Sequence, residues 1–415
     1  MLRRVVIISD LSDPKDGPTN IAVSLAKSVQ AVGIDVDYVC GDAGDNESLI
    51  AAGVNVVPLN QCALDPAKPY DSISKGLFNK KIYAALSAHI KDRDTDSTIY
   101  HVHNWSKILS PSIFLALAPV AARTIITAHD YFVSCPNGGF FNYKRRERCE
   151  LTPLSVECLT TNCDRRSYSQ KIWRVIRAAR IRRYLNLPTG GPTIAAVHEG
   201  MLPYLRRGGF PESRLVVLRN PFTAWTAERV EAENNRSLLF VGRLDHDKGA
   251  DLLARAAARA NVGVTFIGDG PLRAQLQLQY PGFHYVGWKQ KAEIQDYARN
   301  ARLAVIPTAS RETFSLVAFE AVSSGIPVLL SEFATTASEI VDNGLGFAIN
   351  PYETEAFSTL ISKLESDDTL VREMSLRCWA ARTNMASGVH RWSQETIQLY
   401  NRLLDNHSTI VPGRA

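Results

Sequence analysis

Ser310-Arg-Glu-Thr-Phe-Ser-Leu-Val-Ala-Phe-Glu-Ala-Val-Ser-Ser-Gly-Ile-Pro-Val328 is the stretch on which the reading of the whole chain turns. An apolar run, Leu303–Ile306, precedes it, and it passes into another, Pro327–Leu330. That is the strand–loop–helix–strand order of a parallel sheet. Thr313 to Ser315 suit a turn into a helix whose first N–H groups lack intrahelical partners and are open to an anion. Glu312 and Glu320 are separated by seven residues, with Glu320 about two turns into the helix on the side of the loop. Its neighbours Phe314, Leu316, Val317, Phe319, Ala321 and Val322 are apolar. A carboxylate buried among them costs on the order of several kcal/mol unless it is paired. A ribose diol is a suitable partner, because one carboxylate accepts from both hydroxyls; a salt bridge within the fold is the alternative.

Outward from this stretch the same alternation repeats. Ser237–Val241, Val264–Ile267, Phe283–Val286 and Gly346–Ile349 read as further strands, with helical segments such as Ala250–Ala260 between them. Towards the N-terminus, Asn220-Pro221 and the acidic, Asn-rich Glu228–Arg236 mark a break. Before it lies a second series: Val5–Ser9, Val36–Cys40, Val54–Val57, Thr98–His101, Thr124–Ala128, Thr193–Ala196 and Leu215–Leu218. A length of 415 residues also exceeds what one hydrophobic core usually organises. The fold class is therefore α/β, two Rossmann-like doubly wound domains facing a cleft. The expected limits are 1–221, then 222–388, then a terminal helical segment 389–415 with Trp392, Ile397, Leu399 and Leu403 as anchors. Ligands of such sheets bind at the carboxyl ends of the strands.

Two more loops of the second half follow strands. Phe240-Val-Gly-Arg-Leu-Asp-His-Asp-Lys-Gly249 turns at Gly242 and projects Arg243 and Lys248, a planar fork and a point charge suited to a diphosphate. Phe266-Ile-Gly-Asp-Gly-Pro271 brings backbone close to a ligand or caps a turn.

With these motifs the chain resembles the retaining GT-B glycosyltransferases grouped as family 4, most specifically through Glu312-x7-Glu320 and its Gly-Ile-Pro-Val sequel. The resemblance implies that Arg243 and Lys248 grip the phosphates of a UDP- or GDP-sugar. Backbone N–H groups at Phe314, Ser315 and Leu316 assist, Glu320 holds the ribose, and Glu312 contacts the transferred sugar. No metal is implied at this site, and the terminal helix within 389–415 is expected to cross back to the first domain. The family commonly has two adjacent glycines after the first strand, so that backbone approaches the donor phosphate, an approach Gly17 can still supply. Here, in Ser12–Asn20, Gly17 is followed by Pro18, which stiffens the loop and removes one N–H donor. Thr127-Ala-His-Asp-Tyr131 matches the family's cleft histidine, which implies that His129 hydrogen-bonds the donor sugar opposite Glu312. His101 and His103 are expected to shape the cleft wall, and His198 and Glu199 to open a helix. Sugar-nucleotide 2-epimerases share the architecture, and a catalytically silent scaffold is a further alternative. For retention, no carboxylate suits a double displacement, and front-side departure fits the residue inventory better.

Two features lie outside this scheme. Cys135, Cys149, Cys158 and Cys163 fall in one loop-rich insert, 134–164; four thiolates suit a structural zinc, and reduced or partly oxidised thiols are the alternative. Seven cysteines, an odd number, argue against a disulfide framework. The basic helix 165–185 carries Ile172, Val175, Ile176 and Ala179 as an apolar stripe beside many cations, with Trp173 and Tyr184 flanking it. Either it lies on an anionic membrane, or the stripe packs on the sheet and the arginines are solvated or grip an anionic acceptor. The net charge of +5 selects no partner class, and no nucleic-acid partner is expected. The first apolar run is short for a signal peptide, and no run approaches the roughly 20 apolar residues that span a bilayer. The expectation is a cytoplasmic enzyme, at the inner face of the membrane if the basic helix meets lipid. It would use no cofactor beyond its nucleotide-sugar substrate and any structural zinc. Its acceptor would be a saccharide or lipid-linked saccharide in surface polysaccharide or glycolipid assembly.

Overall fold

A computed structural model describes residues 2–14, 16–63, 69–185, 190–385 and 388–410. Lys15 in the loop of Gly17, Met1 at the start of the first expected domain and residues 411–415 of the expected terminal segment lie outside them. The chain forms two compact units, Met1–Asn220 with Val389–Ala415, and Pro221–Gly388.

The first unit contains β1 (Arg4–Ser9), β2 (Asp35–Cys40), β3 (Asn55–Pro58), β4 (Thr98–Val102), β5 (Thr124–Ala128), β6 (Phe141–Asn142), β7 (Glu147–Arg148), β8 (Thr193–Ala196) and β9 (Leu215–Val217). Seven of them make a parallel sheet in the order β3-β2-β1-β4-β5-β8-β9. The two-residue strands β6 and β7 form a separate antiparallel hairpin in the insert. The second unit contains β10 (Ser237–Val241), β11 (Val264–Ile267), β12 (His284–Gly287), β13 (Ala301–Ile306), β14 (Val328–Ser331) and β15 (Gly346–Ile349). They run parallel in the order β12-β11-β10-β13-β14-β15. Each sheet reverses its winding once, between β1 and β4 and between β10 and β13, and each reversal opens a crevice at the strands' carboxyl ends.

Burial explains the strand composition. All of β13 and five of the six residues of β1 are buried, as befits strands covered on both faces by crossover helices. In the second unit Phe240, Phe266, Leu303 and Leu329 from four strands meet Leu253, Phe357 and Ile361 from two helices. Each such side chain contributes about 1.5–3 kcal/mol on burial. The covering helix Ala250–Ala260 is alanine-rich and ends at Asn261, whose left-handed backbone lets its N–H cap the carbonyls of Ala257 and Ala258.

The last helix, Val389–Ile410, belongs to the first unit, where it packs on the helix Gly17–Ala31 and the 3₁₀ turn Ala118–Arg123. Trp392 and Leu399 are buried, with Tyr400 and Leu404, while Ile397 and Leu403 are half-buried. The basic helix, Tyr168–Leu185, overturns the idea that its stripe packs inward with its arginines in solvent. Lys171, Arg177, Ala178, Ile181 and Leu185 form the buried face, and Ile172 and Ile176 are exposed. Arg177 lies between the rings of Trp105, at 4.9 Å, and Trp173, at 5.5 Å, while Arg174 pairs with buried Asp164 at 3.2 Å. Cation–π contacts and buried carboxylates satisfy these cations better than a gap in the core would.

Candidate functional site

The crevice between β10 and β13 gathers the residues singled out in the second half. The β10 loop leaves the sheet at Gly242 and ends at Gly249, whose φ is +71°. A Cβ at Gly249 would stand 1.9 Å from the Pro307 carbonyl oxygen, and one at Gly268 2.0 Å from that of Gly242. Only glycine permits these approaches, which press the loops after β10, β11 and β13 together. Ala309 N–H donating to Asp247 O at 2.9 Å adds a further tie.

On this base Arg243 is exposed, its guanidinium held by Asp245. Asp245 is buried and also accepts from the Lys248 N–H at 2.8 Å. The Lys248 ammonium donates to Glu312 Oε1, and the Ser315 hydroxyl to Glu312 Oε2 at 2.9 Å. Burial works against the charge on Lys248, but the adjoining Glu312 carboxylate outweighs it and lifts the lysine above its ordinary pKa. Lys248 is thus a cation held in place by the first glutamate of the motif.

Ser315 precedes the helix Leu316–Ser323, so the amides of Leu316 and Val317 belong to a first turn that intrahelical carbonyls cannot satisfy. Phe314 is buried and stacks on Phe319, ring centres 4.8 Å apart, leaving its backbone as its only functional offering. Glu320 lies little more than one turn into this helix, closer to its start than the sequence suggests. It is paired within the fold: Lys291 donates to Oε1 at 2.6 Å and Trp225 Nε1 to Oε2 at 3.2 Å. Burial raises its pKa, and Lys291 opposes that rise. Two donors leave a carboxylate with unused lone-pair sites, so the salt bridge and a diol are compatible rather than exclusive.

Sequence reasoning passed over both partners of Glu320. Lys291 opens the helix after β12, beyond any recognised motif, and Trp225 lies beside the stretch read as a break. A tryptophan next to an otherwise polar connection was the available signal. Trp225 N–H also donates to Ser324 Oγ at 2.8 Å, which bonds Glu320 O, so the connection is packed onto the Glu320 helix.

Gly17 and His129 lie in the first unit. Gly17 begins the helix Gly17–Ala31, capped by Asp16. His129 follows β5 and stacks on His103, with His103 Nδ1 and His129 Nε2 3.1 Å apart. Burial lowers the pKa of His129 to about 4 and holds that of His103 well below its ordinary value, so the pair is neutral near pH 7. His101 departs from expectation. It is fully buried between Tyr400, at 2.6 Å, and Thr127, at 2.7 Å, as a core group and no wall. His198 opens a 3₁₀ turn, Glu199–Met201, by accepting from the Gly200 N–H at 3.0 Å. Unforeseen was Asp10, buried after β1, whose carboxylate takes the N–H groups of Lys107, Ile108 and Leu109 at 2.8–2.9 Å and so pins the loop after β4.

Residues 222–378, nearly all of the second unit, match the family described as glycosyl transferases group 1. The second unit is a group 1 glycosyl transferase domain. A relative of this chain, an exopolysaccharide phosphotransferase of Streptomyces coelicolor, is 28% identical over 181 residues, 40% of this chain and 19% of that protein. The chain spans less than half the length of the curated relatives it matches, between 19% and 46% of them. Among solved structures, a sucrose-phosphate synthase from Thermosynechococcus elongatus is 18% identical with a TM-score of 0.71, covering 97% of this chain and 100% of that one. The Anabaena protein HepE in complex with UDP is 13% identical with a TM-score of 0.67, covering 97% and 100%. These likenesses show the fold, two doubly wound α/β units of the GT-B class.

Proposed function

We propose that this chain transfers a sugar from a UDP- or GDP-sugar to a saccharide or lipid-linked saccharide, retaining the anomeric configuration. The observation that carries the proposal is the Lys248–Glu312–Ser315 array at the winding reversal of a group 1 glycosyl transferase domain, with Arg243 and the Glu320 helix beside it. The donor diphosphate would take its charge neutralisation from Arg243, Lys248 and the amides of Phe314 to Leu316. Glu320, held by Lys291 and Trp225, would present its remaining lone pairs to the ribose. Glu312 would meet the transferred sugar, and diphosphate binding would draw on the same Lys248 ammonium that Glu312 now holds. Cations positioned before the reaction stabilise the charge that develops as the sugar–phosphate bond breaks, which is the demand of front-side departure. Of the first unit's residues, Gly17 would give its backbone a close approach to the donor phosphate, and neutral His129 would serve the donor sugar as a hydrogen-bonding group rather than a cation.

The basic helix supports a lipid-linked acceptor. Tyr168, Ile172 and Ile176 are exposed on it, and Tyr168 donates to Leu159 O at 2.9 Å on the short helix where Val156 and Leu159 are also exposed. Arg165, Arg166, Arg182 and Arg183 are exposed around them. An apolar patch rimmed by arginines suits an anionic bilayer surface, each cation adding about 1 kcal/mol near the headgroups. Among the described residues no helix is long and apolar enough to cross a membrane.

Calorimetry with UDP- and GDP-sugars, with and without EDTA, together with nucleotide release, tests the proposal. Saturable binding of one donor, unaffected by EDTA, with slow nucleotide release is the expected outcome. A folded protein that binds no nucleotide sugar sinks it and returns the chain to a silent scaffold.

A further inference from the structure

The insert between β5 and the basic helix has very little regular structure to hold it. It contains a two-residue hairpin and one five-residue helix, Val156–Thr160. Phe140, Arg146 and Leu154 all take positive φ, half of the six non-glycine residues that do so, and the chain doubles back repeatedly. Those turns bring Cys135, Cys149, Cys158 and Cys163 around one pocket, together with Lys171 from the basic helix. Cys135, Cys158 and Cys163 are buried and Cys149 is half-buried.

Lys171 is the unusual member. Its side chain is buried, and its ammonium donates to Cys163 Sγ at 3.1 Å and to Cys158 Sγ at 3.5 Å. Among the described residues it has no carboxylate partner. A buried ammonium surrounded by neutral thiols lacks a counter-charge, whereas thiolates supply one. Asn137 adds a second donor to Cys163 Sγ at 3.2 Å and at the same time accepts from the Cys135 thiol at 3.1 Å, so one side chain bridges two of the cysteines.

We propose that Cys135, Cys149, Cys158 and Cys163 form a tetrathiolate zinc site, with Lys171 and Asn137 as N–H donors to its sulfurs. Four thiolates on one Zn²⁺ leave an excess of two negative charges, and the Lys171 ammonium offsets one of them. Thiolates are the protein ligands zinc takes in closed, structural sites. No three of the sulfurs lie within 4.8 Å of one another, so metal uptake must contract the cluster, which an insert with so little regular structure permits. The inference is independent of the donor chemistry, since it rests on none of the residues assigned to the donor.

The test uses the full chain purified under reducing conditions, with metal content read by mass spectrometry and thiols by titration. The expected result is about one zinc per chain, with the four insert thiols protected until a chelator or mercurial releases the metal. Cobalt substitution should give the visible bands of tetrahedral cobalt–thiolate. Cys158→Ser should abolish stoichiometric metal, and Cys62→Ser, outside the pocket, should leave it unchanged. Lys171→Gln keeps an N–H donor without the charge and should weaken zinc about 10- to 100-fold. If Cys158→Ser does not fold, the stoichiometry and the cobalt spectrum of the unaltered chain still decide. Four freely reactive insert thiols without metal, disulfides among them, or iron with its visible charge-transfer absorption would each overturn the proposal.

Discussion

Glu320 concentrates the residue-scale questions, because it is both a member of an ion pair and the proposed ribose acceptor. Glu320→Ala should weaken donor binding by about 1.5–3 kcal/mol, roughly 10- to 150-fold, read by calorimetry. Lys291→Met should act differently. It removes the charge that opposes the burial-driven rise in the pKa of Glu320, so donor affinity should become sensitive to pH, falling as pH drops through the raised value. An affinity independent of pH in that variant would detach Lys291 from the site. The histidines of the first unit make a second residue-scale prediction. His129 titrates near 4 and His101 near 3 in the folded chain, against 6.5 when unperturbed. Below pH 6.5 the unfolded chain binds protons that the folded one refuses, so each histidine withdraws about 1.4 kcal/mol of stability per pH unit as pH falls towards its folded value. Asp130, raised from 3.8 to about 6 by burial, works the other way between those two values, holding a proton that the unfolded chain has lost. Selective isotope labelling of histidine should show His101 and His129 neutral at pH 5.5, and a protonated signal from either contradicts the burial argument.

At the scale of the element, the basic helix separates surface from core on one cylinder. Ile172→Glu and Ile176→Glu alter exposed positions and should move stability by no more than about 0.5 kcal/mol. If the face meets lipid, each should weaken binding to anionic vesicles about tenfold or more, measured by flotation. Arg177→Met should do the reverse, destabilising the first unit by about 3–5 kcal/mol, because the neighbouring Asp10 and Asp130 lose their buried counter-charge. Helical periodicity alone left two arrangements open, one of them with the isoleucines packed on the sheet and the arginines in solvent. That arrangement was overruled by Trp105 and Asp10, from distant parts of the chain, and by Asp164 just before the helix, which offer the arginines better partners than water.

For the molecule as a whole, chain order and unit membership diverge. Val389–Ala415 follows the second unit in sequence but belongs to the first, where Trp392 and Tyr400 are buried. Tyr400→Phe removes the hydroxyl 2.6 Å from His101 Nδ1 and strands a fully buried ring nitrogen. Thermal denaturation should register a loss of about 1–3 kcal/mol from the first unit, with the transition of Pro221–Gly388 unmoved. A shift in both transitions would contradict the partition into units.

The alternation of short β-branched runs with helical patterns was enough to locate all thirteen strands of the two parallel sheets, because a strand covered on both faces must be apolar along its length. The loops of Arg243, Lys248 and Glu312 were legible for a related reason: each follows a strand, and glycine betrays the close approaches around them. The β6–β7 hairpin escaped notice because two residues carry no periodicity. Lys291, Trp225 and Asp10 were out of reach because their roles rest on groups that folding brings to them from 29, 95 and about 98 residues away. Local pattern determined the strands, the helices and the places where ligand-binding loops must fall. Tertiary packing alone decided which charge faces which, since the energy of a buried ion or hydrogen bond depends on partners that sequence spacing does not supply.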